Sequence, residues 1–278
     1  MSPPGGGSPA RPGAGLLDLP PGRVVAVSPH LDDAAFSAGG LLAALADRGW
    51  RTAVVTCLTA TVPSPRGFAL ACQTDKGLAP DVDYMALRRG EDRRALAHLG
   101  VDEVEHVPLR EAPHRGYDSA PALFAGVRPG DDLAADLTGA LRGHLDAADL
   151  VLAPQGLGAH VDHLQVVRAV RRLGVADRTA WWRDTPYVVR DPAATASRDL
   201  PAGLVETAVD VEDHLEAKTA ACREYATQLG FQFGGPGPVA TVLLDLALAE
   251  GERCGLGLDR PAEALLAPPA LLDRARGR

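Results

Sequence analysis

Two short stretches of this 278-residue chain bring together side chains that bind metals and move protons. The first, Ser28-Pro-His-Leu-Asp-Asp33, offers His30, Asp32 and Asp33; the second, Gly156-Leu-Gly-Ala-His-Val-Asp-His163, offers His160, Asp162 and His163. In each, one ligand type is followed by another three residues on, a spacing that shares a face wherever the turn is helical. Two histidines and one carboxylate make an open catalytic Zn²⁺ site, with three protein ligands and water in the fourth position. A carboxylate and a histidine are then left over. Zinc brings the pKa of its water towards ~7, and a neighbouring carboxylate can take the proton as the water attacks a carbonyl. The spare histidine, if protonated, can steady the oxyanion or protonate a leaving amine. These residue types match metal-assisted amide hydrolysis. Taken singly, the first stretch reads more readily as a surface or helix-capping pair and the second is evenly balanced; two of them at strand-to-helix junctions favour a metal site. His98, His106, His114, His144 and His214 have no such partners and read as surface or capping residues.

For these side chains to meet, both stretches must lie on one edge of a fold, and the flanking sequence supplies the elements. Residues 23–28 are an apolar run of strand length, 37–48 carry Leu41, Leu42 and Leu45 at helical spacing before Gly49, and 52–58 read as a second buried strand. This opening is a right-handed parallel unit. Residues 84–99 form an amphipathic helix ended by Gly100, 103–107 a short strand, 131–145 a helix, 150–153 a strand and 163–173 a helix. Strands near 178–182, 186–190 and 205–210 precede a helix over about 212–229 and another over 239–250. The alternation predicts an α/β fold: a Rossmann-like, mostly parallel sheet flanked by helices on both faces. Ligands gather at the carboxyl ends of such strands, where both motifs fall. Neither GxGxxG nor a P-loop occurs at the first turn, so nucleotide binding is unsupported. Segments 59–83 and 108–129 read as long irregular loops, which in compact domains usually wall a functional site.

Composition narrows the field. Hydrophobic residues at 46% fit a globular chain, and 6 of 30 Gly and 6 of 23 Pro fall within residues 1–22. That stretch reads as a disordered tail, and 23–278 as a single hydrolytic domain whose segment after about 255 is peripheral. A net charge of -8 without a Lys/Arg-rich run argues against a nucleic-acid partner. No stretch approaches the ~18 apolar residues of a membrane span. The first residues lack a charged segment followed by an apolar core, so cytoplasmic residence is the expectation. Cys57, Cys72, Cys222 and Cys254 lie far apart with no CxxC, leaving histidines and carboxylates to hold any metal. A homo-oligomer is compatible with the sequence, which specifies none.

At its two motifs the chain resembles the PIG-L/LmbE family of zinc-dependent N-deacetylases, which carry (A/S)-x-H-x-D-D after the first strand and H-x-D-H late in the domain. The likeness extends over about residues 23–230. Arg88-Arg-Gly-Glu-Asp-Arg-Arg-Ala-Leu-Ala-His-Leu-Gly100 is similar to the family's R-x-x-E-x-x-x-A-x-x-L-G helix. Trp182-Arg-Asp-Thr-Pro-Tyr187 is similar to Y-E-D-x-P-Y, and Lys218-Thr-Ala-Ala-Cys-Arg-Glu-Tyr-Ala-Thr-Gln228 to K-x-x-A-x-x-x-Y/H-x-S-Q. The resemblance implies His30, Asp33 and His163 as zinc ligands and Asp32 as the base. It further implies His160 as the oxyanion-stabilising or acidic histidine, Asp162 beside it to orient or charge it, and Arg88 as a substrate contact. Ala34 departs from the usual Glu, Thr227 from Ser and Arg183 from an acidic residue. Arg115 and Asp118, in a segment where family members build a substrate wall, are further substrate-contact candidates.

The expectation is a Zn²⁺-dependent amide hydrolase, or one using another divalent metal such as Fe²⁺, acting on a small polar N-acylated substrate. Removal of acetyl from an N-acetylated sugar or glycosylated metabolite leads. The alternatives are an amidase for a larger acyl group or a thiol-conjugate amide, and, more remotely, a non-catalytic binding module. An iron oxygenase with the same ligand types is disfavoured by the α/β pattern and the H-x-x-D spacing.

Overall fold

The computed structural model describes residues 15–277. The expectation of a disordered tail lies outside the described residues for 1–14, but it fails for the rest of that stretch. A 3₁₀ turn at Leu16–Asp18 buries Leu16, and Leu19 joins the same core.

The strands are β1 (Arg23–Ser28), β2 (Arg51–Thr56), β3 (Glu103–His106), β4 (Leu150–Pro154), β5 (Thr179–Trp182), β6 (Val205–Asp210) and β7 (Ala262–Ala267). The helices are α1 (Asp33–Asp47), α2 (Gly67–Thr74), α3 (Tyr84–His98), α4 (Leu133–Asp146), α5 (Val161–Arg172), α6 (Tyr187–Arg190), α7 (Leu215–Arg223), α8 (Ala226–Phe233), α9 (Val239–Arg253) and α10 (Pro269–Ala275). They build one seven-stranded sheet of order β3-β2-β1-β4-β5-β7-β6. The first five strands in that order run parallel, while β7 is antiparallel to both β5 and β6.

Strand alternation makes two cores. Val24 and Ala26 of β1 with Leu150 and Leu152 of β4 face one hydrophobic cluster; Val25, Val27, Val151 and Ala153 face the other. A sheet apolar on both sides demands helices on both sides. Chain order reverses between β1 and β4, which are hydrogen-bonded neighbours, so this is the topological switch point where a crevice opens at the carboxyl edge. The loops after these two strands carry the two motifs.

Three elements differ from the sequence expectation. Residues 187–190 form a helical turn rather than a strand. The 59–83 segment contains α2. The segment after 255 is not peripheral: β7 is inserted between β5 and β6, and its Glu263 is buried. That carboxylate accepts from the Gly40 and Leu41 N–H groups at 2.8 and 2.7 Å, next to a non-helical Ala38 inside α1. Lys218 Nζ lies 2.7 Å from Glu263 Oε1, completing a buried brace. A Cβ on Gly40 would come within 2.8 Å of Val211, so only glycine lets α1 approach so closely.

Candidate active site and metal centre

The turn from β1 into α1 is tied by its own polar groups. Ser28 Oγ donates to the His30 carbonyl at 2.7 Å and accepts from the Ala34 N–H at 3.0 Å, while the His30 N–H donates to Asp33 Oδ2 at 2.8 Å. The winding leaves Asp32 at φ 154°, backbone strain of a kind that clusters at functional sites. At the second turn, a Cβ on Gly158 would lie 2.8 Å from the Tyr187 ring. Glycine there admits that ring, which sits edge-on to His163 at 5.3 Å.

The two turns converge on one carboxylate oxygen. His30 Nδ1 is 3.1 Å and His163 Nε2 3.2 Å from Asp33 Oδ2. The far nitrogen of each ring faces a second carboxylate: His30 Nε2 is 2.9 Å from Asp162 Oδ2, and His163 Nδ1 is 2.6 Å from Asp184 Oδ1. Carboxylates so placed fix the tautomer and direction of a metal-binding imidazole. One donor atom from each of His30, Asp33 and His163 lies within 4.8 Å of the others, and the buried His163 Nε2 makes no well-aligned hydrogen bond. A buried polar atom without a partner is costly, so the trio fits a metal ion. His30, His160 and Asp162 also come within that range. Asp162 is already committed, however, since Oδ2 accepts from the Ala112 N–H at 3.0 Å and Oδ1 lies 2.8 Å from Arg115.

The electrostatics point the same way. Burial alone would lower His163, but the Asp33 charge and the Asp184 bond push it up to about 9. Against the same burial, bonds to Asp162 and Asp33 hold His30 well above its ordinary value. Asp33 and Asp162, despite burial, are held far below the usual carboxylate range by these histidines. A field that keeps protons on two imidazoles suits a divalent cation in their place. Asp32 behaves oppositely: burial and then the Asp33 charge push it up to about 8, with Arg88 opposing. Burial drives His160 down to about 3, making it neutral at neutral pH. Its Nδ1 accepts from the Asp162 N–H at 3.2 Å, which leaves the ring proton on Nε2.

These groups open into a cavity of about 300 Å³, within the range of small-ligand sites, lined by His30, Asp32, Asp33, His160, Asp162 and Arg88 among others. A larger cavity of about 570 Å³ under residues 61–85 contains none of the metal-binding or proton-transferring groups. Arg88 is buried on α3, donating to Glu111 Oε1 at 2.6 Å and lying 3.7 Å from Asp32 Oδ2. Arg115 and Asp118 are not brought to the cavity. Arg115 turns inward onto Asp131 and Asp162 at 3.0 and 2.8 Å. Gly116, at φ 93°, then swings the chain outward, leaving the Asp118 side chain 83% exposed beside Arg128.

Asp162 does not hydrogen-bond the His160 side chain through its carboxylate: His160 is the N-cap of α5 and accepts from the Asp162 N–H, while the carboxylate bonds His30 and acts on His160 through its charge. Asp184 and Tyr187 have no role in the sequence reading. The available signal is an acidic residue just beyond the end of β5, in the stretch similar to Y-E-D-x-P-Y.

A Rossmann-like sheet with a two-histidine, one-carboxylate centre at its switch point has the build of a metal-dependent hydrolase. The chain belongs to the PIG-L family, whose model, described as GlcNAc-PI de-N-acetylase, matches residues 25–173. It is 37% identical over 218 residues to the 2'-N-acetylparomamine deacetylase of Streptomyces fradiae, covering 74% of each chain. It is 26% identical to the 1D-myo-inositol 2-acetamido-2-deoxy-alpha-D-glucopyranoside deacetylase of Mycobacteroides abscessus, covering 83% of this chain and 90% of the relative. Among solved structures, the zinc-inhibited form of a teicoplanin deacetylase superposes with a TM-score of 0.73 at 26% identity, over 88% of this chain and 97% of that one. No described helix is long and apolar enough to cross a membrane.

Proposed function

We propose that the chain is a metal-dependent de-N-acetylase that hydrolyses the acetamide of an N-acetylated sugar or glycosylated small metabolite, with Zn²⁺ as its metal. The carrying observation is that Asp32, poised to exchange a proton, and His160, a neutral donor, line the same cavity as His30 and Asp33 of the donor trio. The named activities of the relatives, all on N-acetylated sugar derivatives, support the same reading.

His30, Asp33 and His163 would hold the metal, with Asp162 and Asp184 fixing the two imidazoles. Bound there, a divalent ion supplies Lewis acidity, polarising the amide carbonyl and making water acidic enough to attack near neutral pH. In its ionised form, which the Arg88 charge 3.7 Å away favours, Asp32 accepts a proton from the attacking water. His160 donates from Nε2 to the developing oxyanion. Asp32 then returns its proton to the amine nitrogen as the C–N bond breaks, giving acetic acid and the amine, which leave as acetate and the protonated amine once the remaining proton transfers. Another divalent metal such as Fe²⁺ would suit the same two-histidine, one-carboxylate donors.

The test is amine release from a panel of N-acetylated sugars, N-acyl variants and thiol conjugates, before and after chelation and with Zn²⁺ or Fe²⁺ restored. Release confined to acetylated sugars, lost on chelation and regained with about one Zn²⁺ per chain, is expected. Full activity in metal-free protein, or preference for long acyl chains, would overturn it.

A further inference from the structure

We infer that Phe124 and Phe231 form a second-ring subsite at the mouth of the cavity, selecting N-acetylated sugars that carry another six-membered ring over the free monosaccharide. This rests on the deacetylase reading above.

Single exposed apolar residues need no explanation. Among the described residues, however, seven large hydrophobic side chains are exposed, only Phe124 and Phe231 of them are aromatic, and both line this one cavity. They come from separate elements, the 3₁₀ turn Pro121–Phe124 and α8. Phe124 stands edge-on to His160 at 5.3 Å and so flanks the reacting end. Phe231 is 68% exposed, yet its backbone is firmly held. The start of α8 is fixed by Thr227, whose N–H and Oγ1 donate to Glu91 at 2.9 and 2.7 Å. Near its end, Arg190 donates to the Phe231 carbonyl at 3.2 Å and to Gln232 Oε1 at 2.7 Å. Leu229 and Phe233, on the same helix, are buried in the core. Lys76 Nζ and Arg190 Cζ lie 5.4 and 5.7 Å from the Phe231 ring centroid. An aromatic held in place and left in water is a preformed stacking surface.

The polar groups among the cavity's lining include Asp32, Gln228 and the Arg88–Glu111 pair, whose remaining hydrogen-bonding capacity suits the hydroxyls of the N-acetylated ring. A long acyl chain laid there would displace water from the buried Arg88–Glu111 pair and Asp32 without replacing its hydrogen bonds, which is costly. The mouth is different. The C–H face of a sugar or cyclitol, or an arene, offers the flat apolar surface that a phenyl ring accepts. The ring beyond the acetamido sugar is therefore the group for which the two aromatics are placed.

The probes are the methyl and phenyl glycosides of N-acetylglucosamine, both anomers, tested with the metal-containing enzyme for kcat/KM and, as the deacetylated amines, for Kd. The phenyl glycoside of one anomer is expected to exceed its methyl counterpart by roughly three- to tenfold per stacked ring. Phe231→Ala and Phe124→Ala should each shrink that ratio, and Phe231→Tyr should restore it. A ratio near one, or one insensitive to both alanine variants, overturns the subsite. The same preference in Kd with no amine released from any probe would sink the deacetylase reading and keep the subsite.

Discussion

His163 Nδ1 and Asp184 Oδ1 are 2.6 Å apart, both side chains buried, and the bond joins α5 to the end of β5. It aims the opposite nitrogen at Asp33. Asp184→Asn keeps the shape but replaces a strong acceptor, and metal affinity should fall on the order of 10- to 100-fold. Competition with a chromophoric chelator reads this directly. Unchanged affinity would mean that the pair only packs.

Asp32→Asn removes the proton acceptor while keeping a residue type tolerant of unusual φ. Metal content should hold, and kcat should drop by about 10²- to 10⁴-fold. Loss of metal with the residual rate preserved would assign Asp32 to the ligand set instead.

His160 separates two roles. As a neutral donor, its replacement by Ala should cost about 10²- to 10³-fold in kcat, and Gln should recover part of the loss because its amide can still donate. Equal losses in both variants would favour proton transfer by the imidazole.

Glu263→Ala strips the partner from buried Lys218 and two acceptors from α1, and should destabilise the fold by about 3–5 kcal/mol. Lys218→Met with Glu263→Leu should cost less than the single change, since no buried charge is orphaned. Urea unfolding of both variants measures the difference, and the reverse ranking would refute the brace.

The meeting of the two motifs in one candidate site was legible because they follow β1 and β4, strands that an apolar run announces and that a parallel sheet places side by side. What escaped depends on tertiary context. β7 reads Ala-Glu-Ala-Leu-Leu-Ala, a string of good helix formers, and becomes a strand only by pairing on both edges. Val188 and Val189 suggest a strand, yet residues 187–190 turn helically beneath the site. The family resemblance implied that Asp162 orients or charges His160, but residues two apart in the first turn of a helix point in different directions, and the carboxylate bonds His30. Arg115 and Asp118 had suitable chemistry, and spacing alone could not say which way the loop faced.

Helix α3 touches both sides of the cavity. Arg88 reaches the Leu31 carbonyl and Asp32 in the catalytic turn, while Tyr84 and Glu91 accept from Gln228 and Thr227 at the start of α8. One rigid rod thus sets the gap between the reacting centre and the wall that carries Phe231. Evolution can then retune substrate choice by exchanging the outward residues of α8, because the ruler that keeps the chemistry in register is written elsewhere in the chain.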